Sequence, residues 1–305
     1  MKTLFLRLLL GTVATVAFWA MTGTARAQIY VVNFGSTTIG EYNANTGATM
    51  NASFISGLSS PYGLLLSGSS LFVTNNDIGT VGEYNATTGA VINAALISGL
   101  NQPIGLAVTG SSLFVLNYAN GVPGAGTIGQ YDVSTGAVIN ASLVSGLNEP
   151  NGLAVSGSNL FVSNFGPETI SEYTTSGALV NAALISGLGS VHGLAVVGSN
   201  LFETNYGPET IGEYDVITGT AINTALVSGL NEPWGIAVSG NDLFVGSANN
   251  GTIGEYDTTT GAVINASLVA GLNEPFGIAV IPEASTCAEL AGLGVLAVVL
   301  LRRRV

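Results

Sequence analysis

Residues 233–274 read PWGIAVSGNDLFVGSANNGTIGEYDTTTGAVINASLVAGLNE, and this 42-residue unit recurs with small changes along most of the chain. Its four apolar runs are short and are separated by Gly, Asn, Ser and Pro, as in β-strands joined by tight turns. The tyrosine that ends the third run recurs at intervals of 42, 47, 42, 41 and 42 residues. Those six tyrosines are Tyr42, Tyr84, Tyr131, Tyr173, Tyr214 and Tyr256. A period of this length, built from four strands, indicates a β-propeller blade.

The turns divide each unit into four predicted strands. We expect an inner strand such as residues 152–155, a second strand such as 160–162, a third such as 252–256 and an outer strand such as 262–269. Between residues 28 and 281 the repeats begin on a second strand and end on an inner strand. If the last strand joins the first three, the ring closes without an exposed edge. The predicted fold is therefore all-β: a six-bladed β-propeller of four-stranded blades, closed by its N- and C-terminal strands.

The repeat resembles the NHL-repeat propellers, in which a Pro-x-Gly-Ile-Ala-Val inner strand precedes a strand that ends in aromatic-Val-x-Asp/Asn. Residues 233–238 (PWGIAV) and 275–280 (PFGIAV) match the first motif, and residues 161–164 (FVSN) match the second. The resemblance covers residues 29–280, with Asn or Ser where many members of the family have Asp. It implies a propeller and says little about function, because propellers serve many roles.

The N-terminal residues 1–27 have the pattern of a secretory signal peptide. Lys2 and Arg7 supply the positive charge, residues 8–21 are apolar, and Ala25-Arg26-Ala27 ends the segment. This order predicts an N-terminal signal helix and cleavage between Ala27 and Gln28, so that the mature chain is exported.

The C-terminal residues 282–305 combine a short motif, an apolar run and a basic end. Pro282-Glu283-Ala284 precedes the apolar residues 290–301 and the three arginines 302–304. The segment resembles the PEP-CTERM sorting signal of Gram-negative bacteria, with Ala284 in place of the second proline. The resemblance implies a short transmembrane helix that holds the protein at the membrane and processing by an exosortase-type sorting peptidase. It also implies localisation to the cell envelope, the outer surface or the extracellular matrix.

The charge distribution restricts the partners of the repeat region. Between residues 28 and 281 there is no Lys and no Arg, whereas sixteen of the eighteen acidic residues lie there, giving a formal charge of −16. Without cations to neutralise phosphates, we predict that the region does not bind nucleic acid. Anionic membrane surfaces and phosphorylated ligands are disfavoured for the same reason. Cations and neutral ligands, such as glycans, stay open.

Two loops of each blade are expected on one face of the propeller, and one position in the first loop varies strongly between copies. This position directly precedes the inner-strand glycine, and we expect its side chains to surround the mouth of the central channel. They are Tyr62, Ile104, Asn151, His192, Trp234 and Phe276. The second loop adds Asn117, Asn164 and Asn205, together with an insertion within residues 118–126. We interpret this face as a site for a neutral, polymer-like glycan or for a protein partner. The alternative is that the aromatics cap blade interfaces and the asparagines bond loop backbone.

Acidic residues on the same face provide a rival interpretation. Five carboxylates around one opening would suit Ca²⁺, which prefers oxygen ligands, although no compact calcium loop appears. They are Glu149, Glu168, Glu209, Glu232 and Glu274. With one histidine and no Arg, Lys or Cys in residues 28–281, catalytic groups are scarce. We therefore predict a non-enzymatic binding or structural protein without a cofactor. The alternative is a calcium-dependent or hydrolytic propeller, of a lyase, lactonase or glycosidase type, that acts on extracellular carbohydrate.

Overall fold

A computed structural model of the protein describes residues 27–281, which form six four-stranded antiparallel sheets arranged as a six-bladed β-propeller. The inner strands are β4 (Pro61–Ser67), β8 (Pro103–Thr109), β12 (Pro150–Ser156), β16 (Val191–Val197), β20 (Pro233–Ser239) and β24 (Pro275–Ile281). The second strands are β1 (Gln28–Asn33), β5 (Ser70–Asn75), β9 (Ser112–Asn117), β13 (Asn159–Asn164), β17 (Asn200–Asn205) and β21 (Asp242–Ser247).

The remaining strands complete the blades toward the rim. The third strands are β2 (Thr38–Asn43), β6 (Thr80–Asn85), β10 (Gly126–Asp132), β14 (Thr169–Thr174), β18 (Thr210–Asp215) and β22 (Thr252–Asp257). The outer strands are β3 (Thr49–Ile55), β7 (Val91–Ser98), β11 (Val138–Leu147), β15 (Leu179–Ser186), β19 (Ala221–Ser228) and β23 (Val263–Ala270). Two 3₁₀ turns, Phe34–Ser36 and Ala119–Gly121, lie in the loops that follow β1 and β9. The four-strand pattern predicted from the repeat is confirmed.

The ring closes as predicted. The last strand, β24, pairs antiparallel with β1 in a sheet of order β24-β1-β2-β3, with Ile29 opposite Val280 and Val31 opposite Ile278. We number this sheet blade one; β4–β7 form blade two, and blades three to six follow in chain order. Each strand of the six sheets finds its partners within the described range, so residues 27–281 form a self-contained folding unit.

The second strands supply the core of the ring. Their aromatic residue is buried in every blade, and Phe114, Phe161 and Phe202 are among the largest fully buried side chains. These strands alternate such residues with apolar neighbours because both faces of a blade pack against adjacent blades. One cluster, for example, joins Ile170 of blade four to Leu201 of blade five. The hydrophobic effect therefore holds blades together around the ring as well as strands within each blade.

In five of the six blades the hairpin that leads to the outer strand is fixed by an acidic or amide side chain, and in blade four the hydroxyl of Thr174 takes this place. In blade six, the Asp257 carboxylate accepts hydrogen bonds from the backbone N–H of Thr259 and Thr260 and from the Thr260 hydroxyl, at 2.7–3.1 Å. These bonds lower the pKa of Asp257, with the Thr260 hydroxyl contributing most. Gly261 follows at a φ of 68°, and a Cβ there would lie 1.8 Å from the carbonyl oxygen of Leu226 in the preceding blade. Gly is required because the turn approaches its neighbour so closely.

The predicted signal peptide and sorting tail, including Pro282, Glu283 and Ala284, lie outside the described residues apart from Ala27. Ala27 is buried, and its carbonyl accepts a hydrogen bond from the Ala44 N–H. Gln28 is the first residue of β1. Across residues 27–281 there is no helix with the length and the apolar character that membrane crossing requires.

Candidate functional site

The two loops predicted to share a face do so in every blade. The residue after each second strand donates its backbone N–H to the carbonyl of the residue that precedes the inner strand of the same sheet, at 2.9–3.1 Å. The six pairs are Phe34–Glu274, Asn76–Ser60, Tyr118–Gln102, Phe165–Glu149, Tyr206–Ser190 and Ala248–Glu232. We call the surface formed by these loops the top face. Side chains from both loops therefore meet above the central channel.

The six variable residues lie where the sequence predicts them, around the mouth of the channel. Together they line one cavity of about 110 Å³ on the axis. Each stands at a register shift at the start of its inner strand, and the following glycine packs against the next blade. A Cβ at Gly235 would lie 1.7 Å from the carbonyl oxygen of Phe276. The repeated glycines thus let the inner strands approach one another, and the variable side chains project into the mouth.

The aromatic members of this ring stack on one another instead of leaving their faces free. Trp234 stacks on His192 from one neighbouring blade, with centroids 3.8 Å apart, and on Phe276 from the other, with centroids 4.6 Å apart. Tyr62 continues the row beyond Phe276 at 4.9 Å. Such stacks contribute about 0.5–1.5 kcal/mol per pair beyond the area they bury. Trp234 and Tyr62 are both half-buried, and both make ring contacts within this row at the channel mouth.

His192 is held neutral by this packing. Its side chain is 5 % exposed, its Nδ1 has no hydrogen-bond partner, and burial lowers its pKa to about 4. Desolvation disfavours the charged imidazolium, and a ring fixed between Trp234 and Tyr206 has little freedom to reorient. His192 is therefore an uncharged component of the aromatic row.

Hydroxyl groups beneath the six variable residues connect adjacent blades by hydrogen bonds. Ser163 Oγ accepts the Gly152 N–H at 2.7 Å and donates to the carbonyl of His192 in the next blade at 2.6 Å. Thr204 repeats the arrangement one blade on, between Gly193 and the carbonyl of Trp234. These hydroxyls satisfy backbone groups that the register shift removes from the sheet. They were not singled out in the sequence.

The three asparagines predicted as ligand contacts are buried beneath the top face. Asn117, Asn164 and Asn205 are 3–5 % exposed. The Asn117 amide donates to Thr127 Oγ1, and the Asn164 amide donates to Ser171 Oγ. Asn205 Oδ1 accepts the backbone N–H of Gly189. They hold the loops of the top face from beneath, as in the alternative interpretation.

An open cleft beside the stack is the strongest candidate for a ligand site. It has a volume of about 340 Å³, and aromatic, aliphatic and amide side chains line it. We call it the aromatic cleft; its residues are Tyr62, Asn76, Gln102, Ile104, Tyr118, Asn151, Phe165, His192 and Trp234. Phe165, on one side of the cleft, is 37 % exposed, and Tyr118, from the insertion, is half-buried. Five of the six variable residues contribute to it, together with aromatics of the second loop.

The five glutamates of the calcium hypothesis do not converge. Within residues 27–281 no three His, Cys, Asp or Glu side chains come together to hold a metal ion, and the predicted calcium site is corrected accordingly. All five glutamates have a left-handed backbone, with φ between 49° and 58°. Glu232 and Glu274 line a second cleft of about 380 Å³ on the other side of Trp234. Tyr206 also lines this cleft, and its hydrogen bond to Glu232 raises the pKa of the tyrosine.

One titratable group was not singled out in the sequence. Glu203 lies on β17 at the position held by valine in the other five blades, and it is fully buried. Its Oε1 accepts a hydrogen bond from the Asn205 amide, its Oε2 has no partner, and it is hydrogen-bonded to Tyr214. Burial raises the pKa of Glu203 to about 8. Comparing the copies position by position would have revealed the substitution.

The comparisons with known proteins show the fold. A chain in a crystal structure of a nidogen/laminin complex aligns with a TM-score of 0.72 and 15 % identity, covering 83 % of this chain and 98 % of that one. A crystal structure of the computationally designed Ika8 protein aligns with a TM-score of 0.52 and 18 % identity, covering 82 % of this chain and 74 % of that one. No protein-family model and no curated protein matches the sequence. At these identities the similarity establishes a six-bladed β-propeller and nothing finer.

Proposed function

We propose that this protein is a non-enzymatic binding propeller of the cell envelope or extracellular matrix whose aromatic cleft takes a neutral glycan strand. The observation that carries the proposal is the chemistry of the cleft. Residues 28–281 carry a formal charge of −16, yet the cleft is built from aromatic, aliphatic and amide side chains. A neutral recess within an acidic surface favours uncharged ligands and repels anionic ones.

The side chains around the cleft match the two requirements of sugar recognition. Phe165 offers a partly exposed ring against which the apolar face of a pyranose can pack, and Tyr118 stands on the insertion that borders the same opening. Asn76, Gln102 and Asn151 carry amides, which both donate and accept hydrogen bonds, as hydroxyl groups do. The stacking surface is therefore assigned to the rim of the cleft, and the stacked row of Trp234, His192 and Phe276 forms its supporting wall.

Two features of the same geometry support the non-enzymatic part of the proposal. The single histidine is neutral, buried and stacked, and so it is poorly placed to transfer protons. Of the acidic residues considered for hydrolysis, Glu232 and Glu274 lie in the cleft on the other side of Trp234, and neither Glu149 nor Glu168 lines either cleft.

Export and sorting are part of the proposal. We assign residues 1–27 to a cleaved signal peptide and residues 282–305 to a PEP-CTERM-like tail that an exosortase-type peptidase processes at the membrane. The pairing of β24 with β1 supports this assignment, because the ring is complete within residues 27–281 and needs neither predicted targeting segment. Mass spectrometry of the protein recovered from its native envelope tests both cleavages.

The binding proposal is tested by a polysaccharide array probed with residues 27–281, in calcium and in chelator. We expect binding to neutral polysaccharides, at least tenfold weaker binding to uronic-acid polymers, and no effect of chelator. Phe165→Ala and Tyr118→Ala should weaken binding, whereas Glu274→Gln, in the other cleft, should not. Binding that survives both aromatic substitutions, or that requires calcium, would overturn the assignment. A clean negative on every polysaccharide, with capture of a protein partner instead, would replace it.

A further inference from the structure

The outer strands present a repeated apolar pair to solvent. In β7, β11, β15 and β23 the first two side chains are 52–63 % exposed. These pairs are Val91–Ile92, Val138–Ile139, Leu179–Val180 and Val263–Ile264. In β3 and β19 the second position holds Met50, 43 % exposed, and Ile222, 55 % exposed. Apolar side chains thus recur at matching sites around the rim, far more regularly than isolated surface residues do.

These strands are also sheet edges, but each edge is interrupted. The asparagine that follows the apolar pair bends the strand, and its Oδ1 accepts the backbone N–H two residues on, at 3.0–3.1 Å in all six blades. The register of the outer strand shifts at the same place. Such a bulge prevents long ladders from forming with an added strand. The rim is therefore suited to side-chain packing and not to strand addition.

Charge decides what can cover this rim. All sixteen acidic residues of the region lie outside the outer strands, which contain no charged residue. A contact centred on these strands therefore brings uncharged strand surfaces together, with Asp132, Asp215 and Asp257 of the preceding hairpins at its edge. Because each rim carries the same apolar pair, a two-fold contact between rims buries the pair from both sides. A charged partner would gain nothing from this surface.

We propose that the rim is a self-association surface, through which a second copy of this chain packs against the outer strands. Six strands of nearly the same sequence give each propeller several equivalent contact sites, so lateral association can extend beyond a dimer. Repulsion between acidic copies opposes the contact and is screened by salt. Association is therefore expected to increase with ionic strength, the reverse of an ion-paired interface. This inference is independent of the glycan proposal.

Sedimentation velocity of residues 27–281 tests the proposal over a wide range of protein concentration, at low salt and at about 0.5 M NaCl, where the Debye length is only a few ångströms. We expect larger species to grow with concentration and salt. The rim variant Ile92→Lys with Ile264→Lys should need at least tenfold more protein to associate. The control Ile78→Lys with Val122→Lys changes equally exposed residues in top-face loops. Both double variants reduce the net negative charge by two. A loss of association that occurs only in the rim variant is therefore an effect of the rim surface and not of the net charge.

Several outcomes would overturn the proposal. These are a monomer at every concentration in high salt, an equal loss of association in both double variants, and unchanged association in the rim variant. Binding of a monomeric protein to vesicles of neutral lipid, abolished in the rim variant, would assign the surface to a membrane instead of a second copy. Thermal unfolding of each variant checks that it is folded. If the lysines prevent folding, Ile92→Thr with Ile264→Thr, which retains β-branched side chains, replaces the rim variant in the association experiment.

Discussion

The imidazole of His192 lies against the indole of Trp234 with centroids 3.8 Å apart and ring planes 30° apart, joining blade five to blade six at the channel mouth. Phe276 stacks on the same indole from blade one. The rings therefore connect three consecutive blades where the backbone of the inner strands is irregular, and they form one wall of the proposed binding cleft.

Replacing the Trp234 side chain, which lies in the middle of the aromatic row, should destabilise the fold. We expect Trp234→Ala to lower the free energy of unfolding by about 2–4 kcal/mol, because it deletes a large side chain stacked on both sides. Phe165→Ala, at the exposed rim of the cleft, should cost less than about 1 kcal/mol and act mainly on ligand binding. Urea denaturation of both variants measures the difference. Similar losses in the two variants would contradict the separate roles given to these rings.

The bridging hydroxyls should matter more than their size suggests. Ser163→Ala leaves the Gly152 N–H and the His192 carbonyl without their shared partner, and we expect a loss of about 1–3 kcal/mol. Ser142→Ala is a matched control, since this exposed position holds alanine in several other outer strands. A Ser163→Ala protein as stable as the Ser142→Ala protein would show that water replaces the hydroxyl.

The close approach of the inner strands predicts a sharp contrast between two glycines. Gly235→Ala places a methyl group 1.7 Å from the Phe276 carbonyl oxygen and should cost more than about 2 kcal/mol. At Gly207 the nearest atom would be 3.4 Å away, so Gly207→Ala should be nearly neutral. Thermal unfolding compares the two, and equal melting temperatures would mean that the ring opens readily at blade six.

Glu203 and His192 should make stability depend on pH in opposite directions. The raised pKa of Glu203 stabilises the fold below pH 4.5, and this contribution is lost progressively up to about pH 8. The lowered pKa of His192 gives stability that is full above pH 6.5 and is lost as the pH falls toward about 4. Between pH 4.5 and 6.5 the slopes of these two groups oppose each other, because folding keeps Glu203 protonated and His192 deprotonated. Of the two, only Glu203 contributes a slope above pH 6.5.

We therefore expect the wild-type protein to lose about 2 kcal/mol between pH 6.5 and 8, one proton being worth about 1.4 kcal/mol per pH unit. Glu203→Val restores the residue found in the other five blades and should remove this loss. Relative to the wild type, the variant should lose stability as the pH falls below 6.5, because Glu203 no longer offsets the protonation of His192 in the unfolded state. Urea titrations at several pH values measure both slopes, and a variant with the same pH profile as the wild type would disprove the role of Glu203.

The sequence predicts the ring because each copy repeats its strands and turns, and because the offset of the first and last strands requires closure. Closure is confirmed by the pairing of Ile29 with Val280. The position of the variable residues at the mouth is also confirmed, since their place in the repeat fixes their place in the fold. Whether a ring such as that of Trp234 faces solvent or another ring depends on its neighbours in space, and the repeat does not contain that information.

The asparagines illustrate the same limit. Their recurrence in five of six copies is equally compatible with ligand contacts and with loop support, and only the burial of Asn164 and Asn205 distinguishes the two. Glu203 shows the opposite case, since a single charged residue among five valines marks an unusual position in the sequence alone. Side chains that vary within a repeated frame are informative about position, and burial is needed to assign their role.

Fluorescence of Trp234 tests the central claim most directly, because it is the only tryptophan between residues 27 and 281 and it lines the aromatic cleft. Titration with neutral oligosaccharides should give a saturable change in emission that Phe165→Ala weakens at least tenfold and Glu274→Gln leaves unchanged, while oligouronates give little response. No saturable change with any neutral oligosaccharide, or a response equally strong in Phe165→Ala, would contradict glycan binding in this cleft.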